Sequence, residues 1–171
     1  EPLTAYVRSL APAAAAVDDV RGDASRGQQL FEGSGGCASC HMVGGFGTNR
    51  GPDLTTIGSR RGAAFIREAI LDPGVVLPRG LTAVGLDFVD YLVVRVVDGD
   101  GREVVGVRLN EDSYTIQVRD LLGQLHSFYK PHLQMLEKQF DQSLMQSYRE
   151  QFSNTEIDDL VAYLTTLGGA G

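Results

Sequence analysis

The sequence predicts an α+β fold in which a mainly helical domain is interrupted by an antiparallel β meander of about four strands. Apolar residues recur at helical spacing near residue 30, near residue 66 and towards the C-terminus, whereas residues 91–129 alternate with a period of two and contain tight-turn signals. We expect an N-terminal helix and linker over residues 1–22 and one domain over residues 23–171, with the β insertion at about residues 90–130.

Composition narrows the functional classes. The 171 residues carry a formal charge of −7, which argues against nucleic-acid binding, a function that needs basic surface. The hydrophobic fraction of 43% is enough for a buried core. The longest uncharged apolar stretch, residues 10–17, is far shorter than the roughly 20 residues of a membrane-spanning helix, so we expect no membrane span.

Two helices are predicted in the first half of the chain. Ser25 and Gln28 match a capping box, which predicts a short helix from Ser25 to about Gly33. Residues 61–71 place Ile66 and Ile70 on one face and stop at an Asp-Pro pair, because proline disfavours helical geometry in the residue before it. We expect this second helix to lie against a pocket.

The last helix is marked at both ends. Ser153 and Glu156 form a capping box, and Gly168-Gly169 can end the helix in the left-handed conformation. Between these two ends, apolar residues recur at helical spacing and form one stripe: Ile157, Leu160, Val161, Leu164 and Leu167. We expect this stripe to pack in the core without contacting a cofactor.

The β meander is predicted from four runs. Tyr91–Val97 and Glu103–Leu109 are rich in β-branched residues and flank the turn signal Asp98–Gly101, so they form a hairpin. Alternating residues from 114 to 119 predict a third strand, and the run from Gly123 to Tyr129 predicts a fourth.

The two cysteines of the chain lie in Cys37-Ala38-Ser39-Cys40-His41. The spacing C-x-x-C-H is typical of covalent haem attachment, since two thiols three positions apart reach both vinyl groups of one haem and the next imidazole lies under the iron. A thioredoxin-like redox pair would need a βαβ pattern, which is not found, and a zinc site would need further ligands. A structural disulfide between the two cysteines is the remaining alternative.

Three further segments carry a family resemblance. Gly27–Phe31 precedes the attachment motif, Gly51-Pro52-Asp53-Leu54 follows it, and Glu156–Leu164 closes the chain. With the C-x-x-C-H motif, these segments resemble class I cytochromes c over roughly residues 24–75 and 140–168. The resemblance implies a helix leading into the motif, a G-P-x-L segment on the proximal side of the haem, a methionine ligand on the far side and a terminal helix across the first.

The intervening block has a more particular resemblance. Asp98–Gly101, Asn110–Asp112, Leu122-Gly123 and Ser143–Met145 resemble the haem-binding domain attached to large bacterial membrane-bound dehydrogenase-like proteins. The function of that family is poorly defined, so the resemblance strengthens the expectation of haem binding and adds no substrate.

Several side chains compete for the sixth iron position. Met145 lies eight residues before Ser153, in the loop where the class I pattern places its ligand, and we expect it to bind the iron. Met135 would serve if the loop over residues 131–139 folded inward, and Met42 is too close to His41 to reach the opposite haem face. His126 is expected to be structural and His132 to lie on the surface, although either could bind the iron or the position could be open.

The remaining site residues follow from the class I resemblance. Pro52 matches the proline whose carbonyl oxygen accepts the second N–H of the histidine ligand, and Leu54 would cover the haem edge. Arg60 or Arg61 would pair with a haem propionate. The expected pocket wall consists of Ile66, Ile70 and Leu144.

The function expected from these features is one-electron transfer by a single haem c, with His41 and Met145 bound in both oxidation states and no enzymatic reaction. The alternative is a haem enzyme or sensor with an open or labile sixth position, and a third possibility is a haem module detached from a larger dehydrogenase or oxidase.

Residues 135–171 hold six acids and two bases, which favours a redox partner with a basic patch. Haem c attachment implies a periplasmic or exported location, with a signal peptide removed from the N-terminus. The sequence leaves the oligomeric state open.

Overall fold

The computed structural model describes residues 20–75 and 91–168. Four helices occur in these ranges: α1 (Ala24–Glu32), α2 (Ile57–Arg60), α3 (Ala63–Leu71) and α4 (Asn154–Thr166). A small ribbon pairs β1 (Met42–Val43) with β2 (Phe46–Gly47). The larger sheet contains β3 (Val93–Val97), β4 (Glu103–Glu111), β5 (Thr115–Asp120), β6 (Leu125–Tyr129) and β7 (Met135–Gln139). The helix predicted within residues 1–22 lies outside the described residues, apart from residues 20–22.

Helix α1 begins differently from the prediction. Asp23 is the N-cap, and its carboxylate accepts hydrogen bonds from the backbone N–H groups of Ser25 at 2.8 Å and Arg26 at 3.2 Å. The capping box assigned to Ser25 and Gln28 was therefore wrong, because Ser25 already lies inside the helix.

Helices α1 and α4 cross in close contact. A Cβ atom at Gly27 would lie 1.9 Å from the carbonyl oxygen of Asp159, so this crossing requires glycine. The buried carboxylate of Asp159 accepts hydrogen bonds from the backbone N–H of Asp23 at 2.6 Å and from the Arg26 guanidinium at 2.9 Å. The hydrogen bond from Arg26 lowers the pKa of Asp159, so the carboxylate stays charged and links the start of α1 to α4.

The ends of the other helices correct two predictions. Arg61 is extended, with φ −139° and ψ 140°, so α3 begins at Ala63, two residues later than expected for the helix over residues 61–71, and ends at Leu71 as expected. The capping box at Ser153 and Glu156 is confirmed, with both hydrogen bonds present. Helix α4 ends at Thr166, and Gly168 lacks the positive φ expected of it, while Gly169 lies outside the described residues.

The larger sheet is an antiparallel meander with one additional strand. Its order is β6-β5-β4-β3-β7. Strands β3 to β6 form the predicted meander, and β7 pairs with the other edge of β3. The turn at Asp98–Gly101 is confirmed, and Gly101 has φ +83°. The expected meander of about four strands has a fifth, β7, which extends the sheet past residue 130, and the expectation of a loop over residues 131–139 was wrong. Strand β7 was missed because it is an edge strand whose Glu137 and Lys138 are exposed, which obscures the alternation.

Apolar residues form two separate cores in the described part of the chain. The sheet encloses one of them, made of Leu92, Val94, Val96, Val104, Ile116, Val118 and Phe128. The helices enclose the other, made of Phe31, Ile66, Ile70, Tyr148, Ile157, Leu160, Val161, Tyr163 and Leu164. The helical core contacts the cysteine motif and Met145, so the candidate site belongs to the helical part.

Candidate haem-attachment site

The C-x-x-C-H motif folds as one tight turn. Residues 37–39 form a 3-10 turn that starts after Gly36, whose φ of +63° favours glycine. The carbonyl oxygen of Cys37 accepts hydrogen bonds from the N–H groups of Cys40 at 3.1 Å and His41 at 2.8 Å. The turn brings both thiols and the imidazole together, and the thiols form no disulfide.

The His41 ring has a defined protonation state. Its Nδ1 lies 2.8 Å from the carbonyl oxygen of Pro52, and because a carbonyl can only accept, Nδ1 must carry the proton. Burial lowers the pKa of His41, against the opposing effect of the Pro52 hydrogen bond, so the ring is neutral. The lone pair of Nε2 is then available to a metal ion.

Gly51 allows the contact between His41 Nδ1 and the carbonyl oxygen of Pro52. A Cβ atom at position 51 would lie 2.8 Å from Cε1 and 3.0 Å from Nδ1 of His41, and both distances are too short. The glycine therefore lets the chain pass flat against the imidazole, so that the next carbonyl, that of Pro52, meets Nδ1.

His41 opens onto an apolar cavity between the helices. The cavity brings together an imidazole, a thioether and a thiol within an otherwise largely hydrocarbon wall. Its lining consists of Phe31, Cys37, His41, Leu54, Ile70, Met145, Tyr148, Leu160 and Leu164. Five of the residues predicted for the site are in this lining: Cys37, His41, Leu54, Ile70 and Met145.

Other predicted site residues lie next to the cavity or away from it. Cys40 follows on the attachment turn, and Pro52 lies behind the His41 ring. Ile66 is 3% exposed within the helical core, but it is not in the lining. Leu144 is half-buried outside the lining, and Arg60 is exposed.

Arg61, the alternative to Arg60, is also exposed. Its guanidinium lies over the Phe65 ring, 4.9 Å from the centroid. This stacking accounts for its position without a second charged group.

The competing ligands lie elsewhere in the chain. Met42 is in β1 and Met135 is in β7, paired with Val97. His126 is in β6, with Nε2 2.8 Å from the carboxylate of Asp120, and His132 packs its ring against Tyr129. None of these four side chains lines the cavity described above.

Four lining residues were missed by the sequence analysis: Phe31, Tyr148, Leu160 and Leu164. The last two belong to the apolar stripe of α4, which packs in the helical core as expected, and they also line the cavity. Their spacing of four residues predicts a shared face, but the sequence does not reveal what that face meets. Tyr148 lies three residues after Met145, and no motif marks it.

Burial also affects the cysteine nearest the cavity. Desolvation raises the pKa of the Cys37 thiol, and its Sγ atom lies 3.7 Å from the carbonyl oxygen of Gly35. The sulfur therefore stays in its neutral thiol form on the cavity wall.

This donor set fits haem c. Two thiols on one turn supply the attachment points, neutral His41 supplies an imidazole nitrogen, and Met145 supplies a thioether on the same apolar wall. In the described residues no group of three or more His, Cys, Asp or Glu side chains could hold a metal ion, so the zinc alternative has no ligand set there.

A C-x-x-C-H turn beside an apolar cavity is typical of c-type cytochromes. Residues 24–79 match the family model described as Cytochrome c, so this segment of the chain is similar to the cytochromes c. The match spans 56 of the 171 residues, from α1 through the attachment turn and Pro52 to beyond α3, and excludes the larger sheet and α4. No curated protein matches the chain. Within residues 20–75 and 91–168, no helix has the length and apolar character needed to cross a membrane.

Proposed function

We propose that this protein is a mono-haem c-type cytochrome that carries one electron at a time between redox partners, and that His41 and Met145 would bind the haem iron. The observation that supports this most directly is the meeting of Cys37, His41 and Met145 on one apolar cavity. It goes beyond the family match because Met145 lies outside the matched segment.

Each residue of the attachment turn has a separate task in this proposal. Cys37 and Cys40 form the two thioether bonds, and His41 presents Nε2. The Pro52 carbonyl fixes the His41 tautomer and strengthens its donation. Bound haem c supplies an iron that takes up and releases one electron.

The cavity wall keeps water away. Phe31, Leu54, Ile70 and Leu160 supply a hydrocarbon surface, which raises the free energy of the more highly charged oxidised state and so tunes the potential. Ile66 belongs to the same helical core, Leu144 would extend the wall, and Arg60 would pair with a propionate.

The cavity lining favours an electron carrier over a peroxidase-like enzyme. Peroxide chemistry needs an acid–base side chain on the far side of the haem. The described lining contains no carboxylate and no imidazole except His41. His126 and His132, the other two histidines, belong to the sheet part of the chain.

The partner and location belong to the same proposal. The excess of acidic residues over positions 135–171 suits a redox partner with a basic patch, so complex formation should weaken as salt increases. Export follows from the site of haem c attachment, and the protein would work in the periplasm or outside the cell.

Spectra of wild type and Met145→Ala test the axial ligands. We expect a sulfur-to-iron charge-transfer band in the ferric wild type and no binding of carbon monoxide by the ferrous form. The band should be lost in Met145→Ala and kept in Met135→Ala, a control in β7 away from the cavity. Carbon monoxide binding by the wild type, or loss of the band in the control, would contradict His/Met ligation and favour an open or different sixth position.

A further inference from the structure

We propose that Tyr148 is a positioning residue that holds Met145 against the cavity by tying the Met145 segment to the loop before Cys37. This inference rests on the proposed ligation by Met145. Three contacts of Tyr148 carry it: a buried hydrogen bond, a ring stack and a backbone hydrogen bond.

The first contact is a buried hydrogen bond made by the Tyr148 hydroxyl. The Tyr148 hydroxyl donates to the carbonyl oxygen of Gly35 at 2.8 Å, and Tyr148 is 7% exposed. Gly35 is also buried and lies two residues before Cys37. A methionine segment late in the chain is thereby joined directly to the attachment loop.

The ring and backbone of Tyr148 are also fixed. The ring stacks on Phe152, with centroids 5.4 Å apart and planes 6° apart. The backbone N–H donates to the carbonyl oxygen of Ile70 at 3.1 Å, at the end of α3. The hydroxyl is therefore held in place by the rest of the residue, so its bond to Gly35 costs little additional ordering.

Hydrogen bonds from residues 147 and 148 attach the Met145 segment to two parts of the fold. Ser147 Oγ donates to the carbonyl oxygen of Leu71 at 2.6 Å, so residues 147 and 148 both attach to the end of α3. The Tyr148 hydroxyl bond joins the same segment to the opposite side, at the attachment loop. Without that bond the segment would lose its hydrogen bond to the attachment loop, and Met145, three residues earlier, could leave the wall more easily.

Replacement of the hydroxyl tests this role. Tyr148→Phe keeps the ring on Phe152 and removes the hydroxyl, and with it the bond to Gly35 and the contacts with Cys37 and Gln146. Imidazole added to the ferric protein competes with Met145 for its position, so its apparent affinity reports how firmly Met145 is held. We expect Tyr148→Phe to bind imidazole about tenfold more tightly than wild type, the effect of losing one typical buried hydrogen bond.

Tyr163→Phe is the matched control. Tyr163 is a buried tyrosine of the same helical core, packed against Phe31, but it does not line the cavity. The Tyr163→Phe variant should bind imidazole like wild type.

A thermal melt gives a second measurement. In Tyr148→Phe the sulfur-to-iron band should disappear at a lower temperature than in wild type, and this decrease should exceed the decrease in the global unfolding temperature.

The outcomes separate this inference from the proposed function. A wild type without the sulfur-to-iron band overturns both. A wild type with the band and a Tyr148→Phe variant that binds imidazole within twofold of it overturns the positioning role alone. An equal gain in Tyr163→Phe also overturns it, because the effect would then be a general loosening of the core.

Discussion

The state of His41 depends on two close contacts made by adjacent residues. The Pro52 carbonyl fixes the proton on Nδ1, and the bare backbone of Gly51 lets the chain approach the ring. The imidazole is therefore oriented before any group binds to Nε2, which reduces the entropy lost on binding.

Gly51→Ala should disturb this orientation. Its methyl group would lie within 3.0 Å of the ring, so either the ring or the chain must shift, and we expect a loss of about 1–3 kcal/mol in the free energy of unfolding. Denaturant unfolding of the haem-loaded protein measures it. Gly168→Ala is the control, because the nearest atoms to its Cβ are 4.0 Å away. Equal losses in both variants would contradict a specific clash with His41.

The sequence identifies the residues whose roles are local. Cys37, Cys40 and His41 are adjacent, so their spacing predicts the attachment turn, and Pro52 follows from a short motif. Tyr148 could not be predicted in the same way, because its partner Gly35 is 113 positions away and a carbonyl oxygen leaves no mark in the sequence.

At the scale of elements, strand β4 ends in a cluster of charges. The side chain of Glu111 is 12% exposed. Its carboxylate forms ion pairs with three cations: Lys130 at 2.7 Å, Lys138 at 2.9 Å and Arg108 at 3.1 Å. Burial raises the pKa of Glu111, but the three cations outweigh it and bring the pKa down to about 2. The cluster links β4 to β7 and to the turn after β6.

Glu111→Gln should therefore destabilise the sheet in a pH-dependent way. An unfolded glutamate has a pKa of about 4.3, so the charged form stabilises the fold above that pH, by about 3 kcal/mol at neutral pH. The stability is lost as the pH falls towards the folded pKa of about 2. Urea unfolding at pH 7, 5 and 3 should show the difference between wild type and variant shrinking with acidity.

The control lies on the same strand. Glu103 pairs with Arg95 in an exposed ion pair, so Glu103→Gln should change stability little at any of these pH values. A Glu111→Gln effect that stayed constant with pH would show that side-chain packing, and not charge, holds this end of the sheet.

Element prediction worked where neighbouring residues decide the structure. The capping box of α4 and the Asp98–Gly101 turn are short-range features, and both are confirmed. Strand β7 depends on pairing with β3, about 40 positions earlier, and its own residues do not alternate clearly. Such a strand is decided by tertiary pairing, which the local pattern does not encode.

At the scale of the whole molecule, the two cores differ in how completely their own side chains fill them. The sheet core consists of side chains that contact one another, with Val94, Val96, Ile116 and Val118 all 0% exposed. The helical core surrounds the cavity. An unfilled apolar cavity costs stability, so the helical part should need the bound group more than the sheet does.

A chain that cannot attach haem tests this difference. In a Cys37→Ala, Cys40→Ala double variant we expect the amides of β3, β4 and β5 to keep slow hydrogen exchange, while those of α1 and α4 exchange much faster than in wild type. Exchange followed by mass spectrometry gives both values in one sample, and the sheet is the internal control. Loss of protection in both parts to the same extent would show that the chain folds as one cooperative unit.

The pairing of β3 with β7 also affects how the two halves of the helical part meet. Val93, the first residue of β3, lies opposite Gln139, the last residue of β7, so the sheet begins and ends at nearly the same place. The chain between α1 and α4 forms a loop that closes when the two helices meet. Once the sheet has formed, residues 93–139 add little to the length of free chain in that loop, because Val93 and Gln139 are adjacent. Since the entropy of loop closure depends on the length of free chain, early folding of the sheet would lower the cost of bringing α4 to α1. A large insertion is thereby accommodated at little cost to the fold around it.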